Sequence, residues 1–458
     1  MIGARTLPHD PQLPQLASAL DDAAMRPVFD AALRGRSGQR VTACRVDRVK
    51  YHPRRNCSVS WLLELEDERS GVRYAQRMAG RLCAAGEAAP RHARHVARTA
   101  LPSRCGVSAL LLPRLELFAW FVPNDPRLPA LGALCEAVNG RGSALARVLR
   151  ALPDHPPEAP AEVRAALVQY VPESRACARF ELTARDGTAR CLYAKIDRAG
   201  GGPATDAVMQ ALYASPARRD GRLATLRPLL WQPTAGLHWQ EGVAGSPLLD
   251  LWPHCPPALS ARVGRLLAAL HATAAPLAHR VTEAELVGGP RASAALLGTV
   301  EPRWTPLLDG LLDALAAGQA MLHDLPAVTL HGDLHPRNIL VDDDRLVLID
   351  LDRARAGAAA LDLGAWIADT LSRALVAGAA LAPAQACAAH FLQAYRAASR
   401  HAATDAVVAW ATARALLCER AHSSVANLKP GHYPRVGALL ELACFIARHG
   451  LDRPLPAL

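Results

Sequence analysis

Aromatic residues are scarce in this chain of 458: Phe, Trp and Tyr make up 5%, so its cores must be built mostly of Ala, Leu and Val. Long hydrophobic runs are absent. The longest weakly polar stretch, Ala374 to Ala384, is Ala-dominated and broken by Pro383, too little to span a bilayer. The N-terminus, MIGARTLPHDPQLPQL, lacks the apolar core of a secretory leader. No C-x-x-C pair occurs among the eleven cysteines, an odd number dispersed from Cys44 to Cys444. That disfavours a disulfide framework and a thiolate zinc site, and leads us to expect free thiols in a reducing cytoplasm.

What is present is globular. Hydrophobic residues are 51% and charged residues 21%, and the length suits two or three units with cores of their own. The net charge is +10, which can attract nucleic acid or anionic lipid. Arg far outnumbers Lys, however, and is scattered without an aromatic platform or a nucleic-acid-binding motif, so neither nucleic acid nor membrane is expected as a partner.

Two stretches, about Arg45 to Met78 and about Val168 to Ile196, read as alternating strands around polar turns. Between them, Pro153 to Pro160 holds four prolines in eight residues, a linker signal. The two stretches share one offset of 119. Tyr51 and Pro53 match Tyr170 and Pro172, Tyr74-Ala75 matches Tyr193-Ala194, and Trp120 matches Trp239. A duplicated unit is expected. From Ala258 onward the pattern is helical: Leu259 to Thr273, Leu307 to Leu325, then three or four helices from Leu363 to Leu451.

The chemistry lies in VTLHGDLHPRNILVDDDRLVLIDLDRARAGAAALDLG, Val328 to Gly364. Val328 to Leu330 and Leu346 to Ile349 are short β-type runs. The first runs into Asp333, the second into Asp350 and Asp352, and Asn338 lies between. We expect one small hairpin that gathers these side chains at one end, with Asp342-Asp343-Asp344 as its solvated turn. From His331 to Asp369 there are eight acidic residues against four arginines, a local reversal that suits a cation. Phosphoryl transfer needs such a set: a carboxylate for the attacking hydroxyl, and oxygen ligands for Mg²⁺. A His331-x-Asp333-x-His335 metallohydrolase site is the rival reading, but it leaves Asn338 and Asp350 unexplained.

The spacing Asp333 to Asn338 is that of a kinase catalytic loop. The form H-G-D-x-H-P-x-N followed by I-D-x-D resembles the aminoglycoside phosphotransferase/choline kinase branch of the protein kinase-like superfamily. The resemblance implies Asp333 as catalytic residue, Asn338 and Asp350 as Mg²⁺ ligands, and Asp362 as a buttress of the loop. His331 is read as structural. Lys195, in Tyr193-Ala194-Lys195-Ile196, stands where the family's Lys meets the ATP phosphates. Gln240, Glu241 and Val243 resemble the hinge that meets adenine. A Gly-rich loop is lacking, the turn there being Val171 to Arg175, and Thr205 to Ser215 offers only Asp206 and Gln210 where a Glu would pair with Lys195. By the 119 offset, Gln76 takes the place of Lys195 in the first copy.

The expected architecture is α+β: a bilobal protein kinase-like fold, with a β-rich N-lobe at 163–245 and a helical C-lobe at 246–458. Residues 1–152 are expected to form an extra N-terminal α+β domain resembling a degenerate N-lobe, joined through a Pro-rich linker at 153–162. The expected activity is ATP- and Mg²⁺-dependent phosphorylation of a hydroxyl on a small molecule such as a sugar or amino alcohol. A nucleotide-binding module without turnover is the alternative.

Overall fold

The computed structural model describes residues 7–97, 100–152, 160–198, 200–251, 257–401 and 403–456. Most of the proline-rich segment, 153–159, lies outside them. Ten strands form two antiparallel five-stranded sheets. β1 (Gln39–His52), β2 (Asn56–Asp67), β3 (Arg73–Cys83), β4 (Ala109–Leu112) and β5 (Leu117–Phe121) lie in the order β1-β2-β3-β5-β4. β6 (Glu162–Val171), β7 (Arg175–Thr183), β8 (Ala189–Asp197), β9 (Pro228–Gln232) and β10 (Leu237–Glu241) lie in the order β6-β7-β8-β10-β9. The same connectivity therefore occurs twice.

The pairing register corrects the single offset of 119. That offset holds for the first hairpin of each sheet, where Tyr51 pairs with Cys57 and Tyr170 with Ala176. On the next strand it fails. β2 and β3 pair from Asn56–Cys83 out to Glu66–Arg73, whereas β7 and β8 pair only from Arg175–Asp197 to Thr183–Ala189. The longer hairpin shifts its return strand, so Ser58 faces Arg81 where Cys177 faces Lys195. The residue of the first sheet at the lattice position of Lys195 is thus Arg81, a cation, and not Gln76.

The two faces of the first sheet bury different things. One packs on the helix Asp22–Ser37, with the Phe29 and Trp61 rings 5.2 Å apart, and its core is continuous with that of the helical half. The other carries Phe118 and Trp120 against Tyr170, Phe180 and Trp239 of the second sheet. The buried Trp120 Nε1 donates to Tyr170 Oη at 2.8 Å, which keeps both polar atoms satisfied inside the layer.

The helical half contains Pro257–His271, Glu283–Val300, Thr305–Gly318, Ala360–Val376, Leu381–Ala398, Asp405–Ala415 and Val436–His449, with a short helix at His422–Ala426. A capping box of Thr282 and Glu285 starts Glu283–Val300. Gly364 lets Ala360–Val376 and Asp405–Ala415 approach closely, since a Cβ there would sit 2.4 Å from the Ala411 carbonyl carbon. No helix among the described residues is long and apolar enough to cross a membrane.

Five short strands complete the fold: β11 (Ser246–Pro247), β12 (Ala327–Leu330), β13 (Ile339–Asp342), β14 (Arg345–Leu348) and β15 (Arg355–Ala358). The expected single hairpin is in fact two pairings. β13 and β14 form a hairpin turning at Asp343-Asp344, while β12 pairs with β15. The reason is that residues 349–354 return the chain to β12, so the carboxylates come from two small sheets, β11-β13-β14 and β12-β15.

Candidate active site

The loop after β12 is fixed from below by one carboxylate. Asp362 Oδ2 accepts from His331 N at 2.7 Å and Oδ1 accepts from Gly332 N at 3.0 Å. Asp362 is buried and also meets His271 Nε2 at 3.2 Å, whose Nδ1 lies 2.9 Å from Tyr395 Oη. Burial opposes its charge, yet His271, His331 and the backbone amides hold its carboxyl below the usual range. His331 is fully buried, with Nε2 2.9 Å from the Ile349 carbonyl, which ties this loop to the one bearing Asp350. Gly332 takes φ +76, and a Cβ would lie 2.2 Å from the Arg353 carbonyl oxygen.

These contacts bring Asp333 and Asn338 together: Asn338 Nδ2 donates to the Asp333 carbonyl at 2.9 Å. Asn338 Oδ1 carries no hydrogen bond among the described residues. The Asp333 carboxylate lies 3.9 Å from His335 Nε2 and 4.0 Å from Arg353 Nε. Ile349 N donates to the Asn338 carbonyl at 3.0 Å, and Asp350 follows in the left-handed region at φ 63.

Lys195 reaches this group from β8. Its Nζ donates to Asp350 Oδ1 at 2.6 Å and lies 3.3 Å from both oxygens of Asp352. Burial works against the ammonium, but Asp352 and Asp350 hold its pKa above the usual lysine value. Burial likewise works against Asp350, and Lys195 holds its carboxyl well below the usual range. Burial and the charge of Asp350 push Asp352 up, with Lys195 opposing. Asp352 is therefore a participant that sequence reasoning did not single out. Its signal was the second Asp of I-D-x-D. The helix Gly202–Ala214 gives Lys195 no carboxylate, and Asp206 instead faces His238 at 3.4 Å.

Gln240 and Glu241 end β10, beside Tyr193 and Leu192 of β8. Gln240 is buried, and Val243 follows in the irregular segment after β10. Glu241 and Val243 line a cavity of about 990 Å³ with Tyr213, Arg227 and Arg265. That cavity touches none of Lys195, Asp333, Asn338 and Asp350, so it is not where the charged groups converge.

Where kinases carry a Gly-rich loop, Glu173 occupies the β6–β7 turn at φ 59 and is held by the first sheet. It forms an ion pair with Arg81, lies 3.6 Å from Arg127, and accepts from Ser58 Oγ at 3.1 Å. Asp125 Oδ2 accepts from Glu173 N at 2.8 Å and Tyr170 Oη at 2.7 Å. Nothing in the local sequence signals these contacts, because they join residues far apart in the chain.

A divalent cation would find only oxygen donors here: the carboxylates of Asp350 and Asp352 and the amide oxygen of Asn338. That donor set suits Mg²⁺, with phosphate oxygens and water completing the shell. Among the described residues no three His, Cys, Asp or Glu side chains already form a metal cluster.

A profile of the phosphotransferase enzyme family matches residues 183–416, just over half of the chain. No curated protein matches. Among solved structures, the chain is similar to a thermostable aminoglycoside phosphotransferase mutant in complex with ADP and hygromycin B, at 14% identity over 67% of this chain and 98% of that one, TM-score 0.45. It is also similar to a choline/ethanolamine kinase family protein from Mesorhizobium loti, at 20% identity over 59% and 89%, TM-score 0.40. A choline kinase from Cryptosporidium parvum matches at 9% identity over 66% and 94%, TM-score 0.44.

Proposed function

The chain belongs to the phosphotransferase enzyme family, and from that premise we propose that it transfers the γ-phosphoryl group of ATP to a hydroxyl of a small molecule, with Mg²⁺. The observation that carries this reading is the convergence of Lys195, Asp350 and Asp352 beside a loop that presents Asp333 and Asn338.

In this reading Lys195 meets the phosphates, and Gln240 to Val243 meet the adenine through their backbone. Asp350 and Asn338 hold Mg²⁺, with Asp352 at hand as a further oxygen donor. When bound, Mg²⁺ neutralises charge on the phosphate oxygens and fixes their geometry. Asp333 orients the acceptor hydroxyl and takes its proton. The hydroxyl oxygen forms the new bond to phosphorus as the bond to the β-phosphate oxygen breaks, and ADP leaves with that electron pair. Residues 163–245 form the nucleotide lobe and 246–458 the helical lobe, while residues 1–152 hold the phosphate-side turn through Glu173.

The test separates binding from turnover. Asp333→Asn should lower kcat by roughly 10²–10⁴, the range for a lost general base, with Mg²⁺-dependent protection by ATP against thermal unfolding retained. Phosphoryl transfer at wild-type rate in that variant would remove Asp333 from the reaction. ATP protection in the wild type without phosphorylated product across a broad acceptor panel would favour a binding module.

A further inference from the structure

The cavity of about 990 Å³ beside Glu241 and Val243 is lined by seven arginines and only two carboxylates, Glu241 and Asp344. Separate parts of the chain supply the arginines. Arg218 and Arg219 end the short helix Pro216–Arg219, which Ser215 caps by accepting from Arg218 N on Oγ at 3.2 Å. Arg227 precedes β9, and Arg345 opens β14. Arg262 and Arg265 stand three residues apart on one face of the helix Pro257–His271. The cavity touches none of Lys195, Asp333, Asn338 and Asp350, so it is not a second view of the groups that converge there.

Only part of this charge is matched. Arg222 pairs with Asp220 at 3.0 Å, Arg345 pairs with Asp342 at 2.8 Å, and Arg262 donates to the Asp344 carbonyl. Arg218, Arg219, Arg227 and Arg265 form no side-chain hydrogen bond or ion pair among the described residues. Two of them are fixed by stacking instead: Arg218 Cζ lies 3.5 Å from the centroid of the Tyr213 ring, and Arg227 Cζ lies 5.7 Å from it. The charged cluster on the helix Ala360–Val376 differs in kind, because there the buried Asp369 is gripped by Arg373 and Arg420 and the charges answer one another. A second observation concerns the cavity wall. Thr225 lines it and is 7% exposed, yet its buried hydroxyl has no hydrogen-bond partner.

We infer that this cavity binds a small molecule bearing two or more phosphoryl groups, held by Arg218, Arg227 and Arg265. A concave wall lined by one sign of charge concentrates ions of the other sign, and the excess of arginine calls for more than one negative charge. A guanidinium offers a phosphate two parallel hydrogen bonds. Stacking on Tyr213 holds two guanidinium planes in advance, so less side-chain freedom is lost when the ligand arrives. The volume suits a ligand of nucleotide size, and Leu223, Leu266 and Val347 give its carbon frame an apolar floor. The Thr225 hydroxyl gains the partner it lacks, directly or through a water. Glu241 N donates to the Arg227 carbonyl at 2.9 Å, so a ligand on Arg227 and Arg265 ties the end of β10 to the helix Pro257–His271. This binding stands whether or not the chain transfers phosphate.

The experiment titrates the full chain by calorimetry with orthophosphate, tripolyphosphate and fructose 1,6-bisphosphate, with EDTA present to remove divalent cations. Tripolyphosphate or the bisphosphate is expected to bind roughly tenfold or more tightly than orthophosphate. Tripolyphosphate ahead marks adjacent phosphoryl groups, and the bisphosphate ahead marks groups spread over a carbon frame. Arg218→Gln and Arg265→Gln should each raise Kd roughly 10- to 100-fold, the range for one charge-assisted hydrogen bond. Arg265 is exposed, so its replacement leaves the core untouched. Arg69→Gln, in the turn after β2 and outside the cavity, should leave Kd unchanged. A second series at raised salt should show a higher Kd. Binding no tighter than that of orthophosphate, a wild-type Kd in both cavity variants, or an equal loss in Arg69→Gln would each overturn the inference.

Discussion

Arg81 on β3 and Glu173 in the β6–β7 turn form an ion pair in which both side chains are largely shielded, at 15% and 10% exposure. The pair joins the two sheets at the turn where a phosphate-binding loop would lie. Removing one partner strands the other, which costs more than replacing both. Arg81→Ala is expected to lower stability by about 1–3 kcal/mol and to weaken protection by MgATP. An Arg81→Ala/Glu173→Ala double variant should recover part of the loss, as thermal unfolding will report. Unchanged melting and unchanged KM for ATP in Arg81→Ala would show the contact to be idle.

Lys195 supplies the counter-charge of Asp350 and Asp352 in this state. Lys195→Met should cost about 3 kcal/mol at neutral pH, the low end for breaking a shielded pair. Asp350 is held below its unfolded pKa, so its contribution is present above that value and is lost as pH falls through the folded one. The gap between variant and wild type should therefore be widest near pH 7 and close towards acid. Mg²⁺ should stabilise the variant more than the wild type. A gap independent of pH would contradict the pairing.

Gly332→Ala tests the loop geometry. The added carbon meets the Arg353 carbonyl at 2.2 Å in a backbone conformation unfavourable to it. A loss of roughly 1–3 kcal/mol is expected, together with a fall in kcat that exceeds any change in ATP affinity. A variant with wild-type turnover would show that the loop tolerates displacement.

Lys429 gives stability a dependence on pH at the alkaline side. Burial and neighbouring arginines lower its pKa to about 8, so between that value and the unfolded one near 10.4 the unfolded chain binds more protons and stability rises with pH. Below about 8 the penalty is present in full. Lys429→Met should then stabilise the protein at pH 7 by about 1 kcal/mol after allowance for solvent screening, or roughly 2–4 °C in Tm. A variant that melts lower would refute this.

The loop bearing Asp333 and Asn338 was legible because the pattern is local: Asp333, Asn338 and Asp350 sit within eighteen residues, and the strand ends that carry them show as apolar runs. The structural readings of His331 and Asp362 follow from the same short segment, and both side chains lie where the loop needs support. The hairpin assignment failed because strand partners are chosen by tertiary packing, and β12 finds β15 rather than β14. The duplication was visible, but its alignment broke at β3, since two extra pairs and a longer turn leave no mark in residue types. The Glu173 clamp and the group around Asp369 were invisible for another reason. Their members come from segments up to hundreds of residues apart, and a scattered arginine looks the same in sequence whether it is solvated or gathered.

The helix Ala360–Val376 carries three of the features above on one rod: Asp362 beneath the catalytic loop, Gly364 pressed against Ala411, and Asp369 between Arg373 and Arg420. Seven residues separate the two aspartates, about 10 Å along the axis and nearly the same face. The loop bearing Asp333 and the ion pairs of Asp369 are therefore mounted on a common shaft and cannot drift independently. A change that moves this helix at either end would therefore be felt at both ends together.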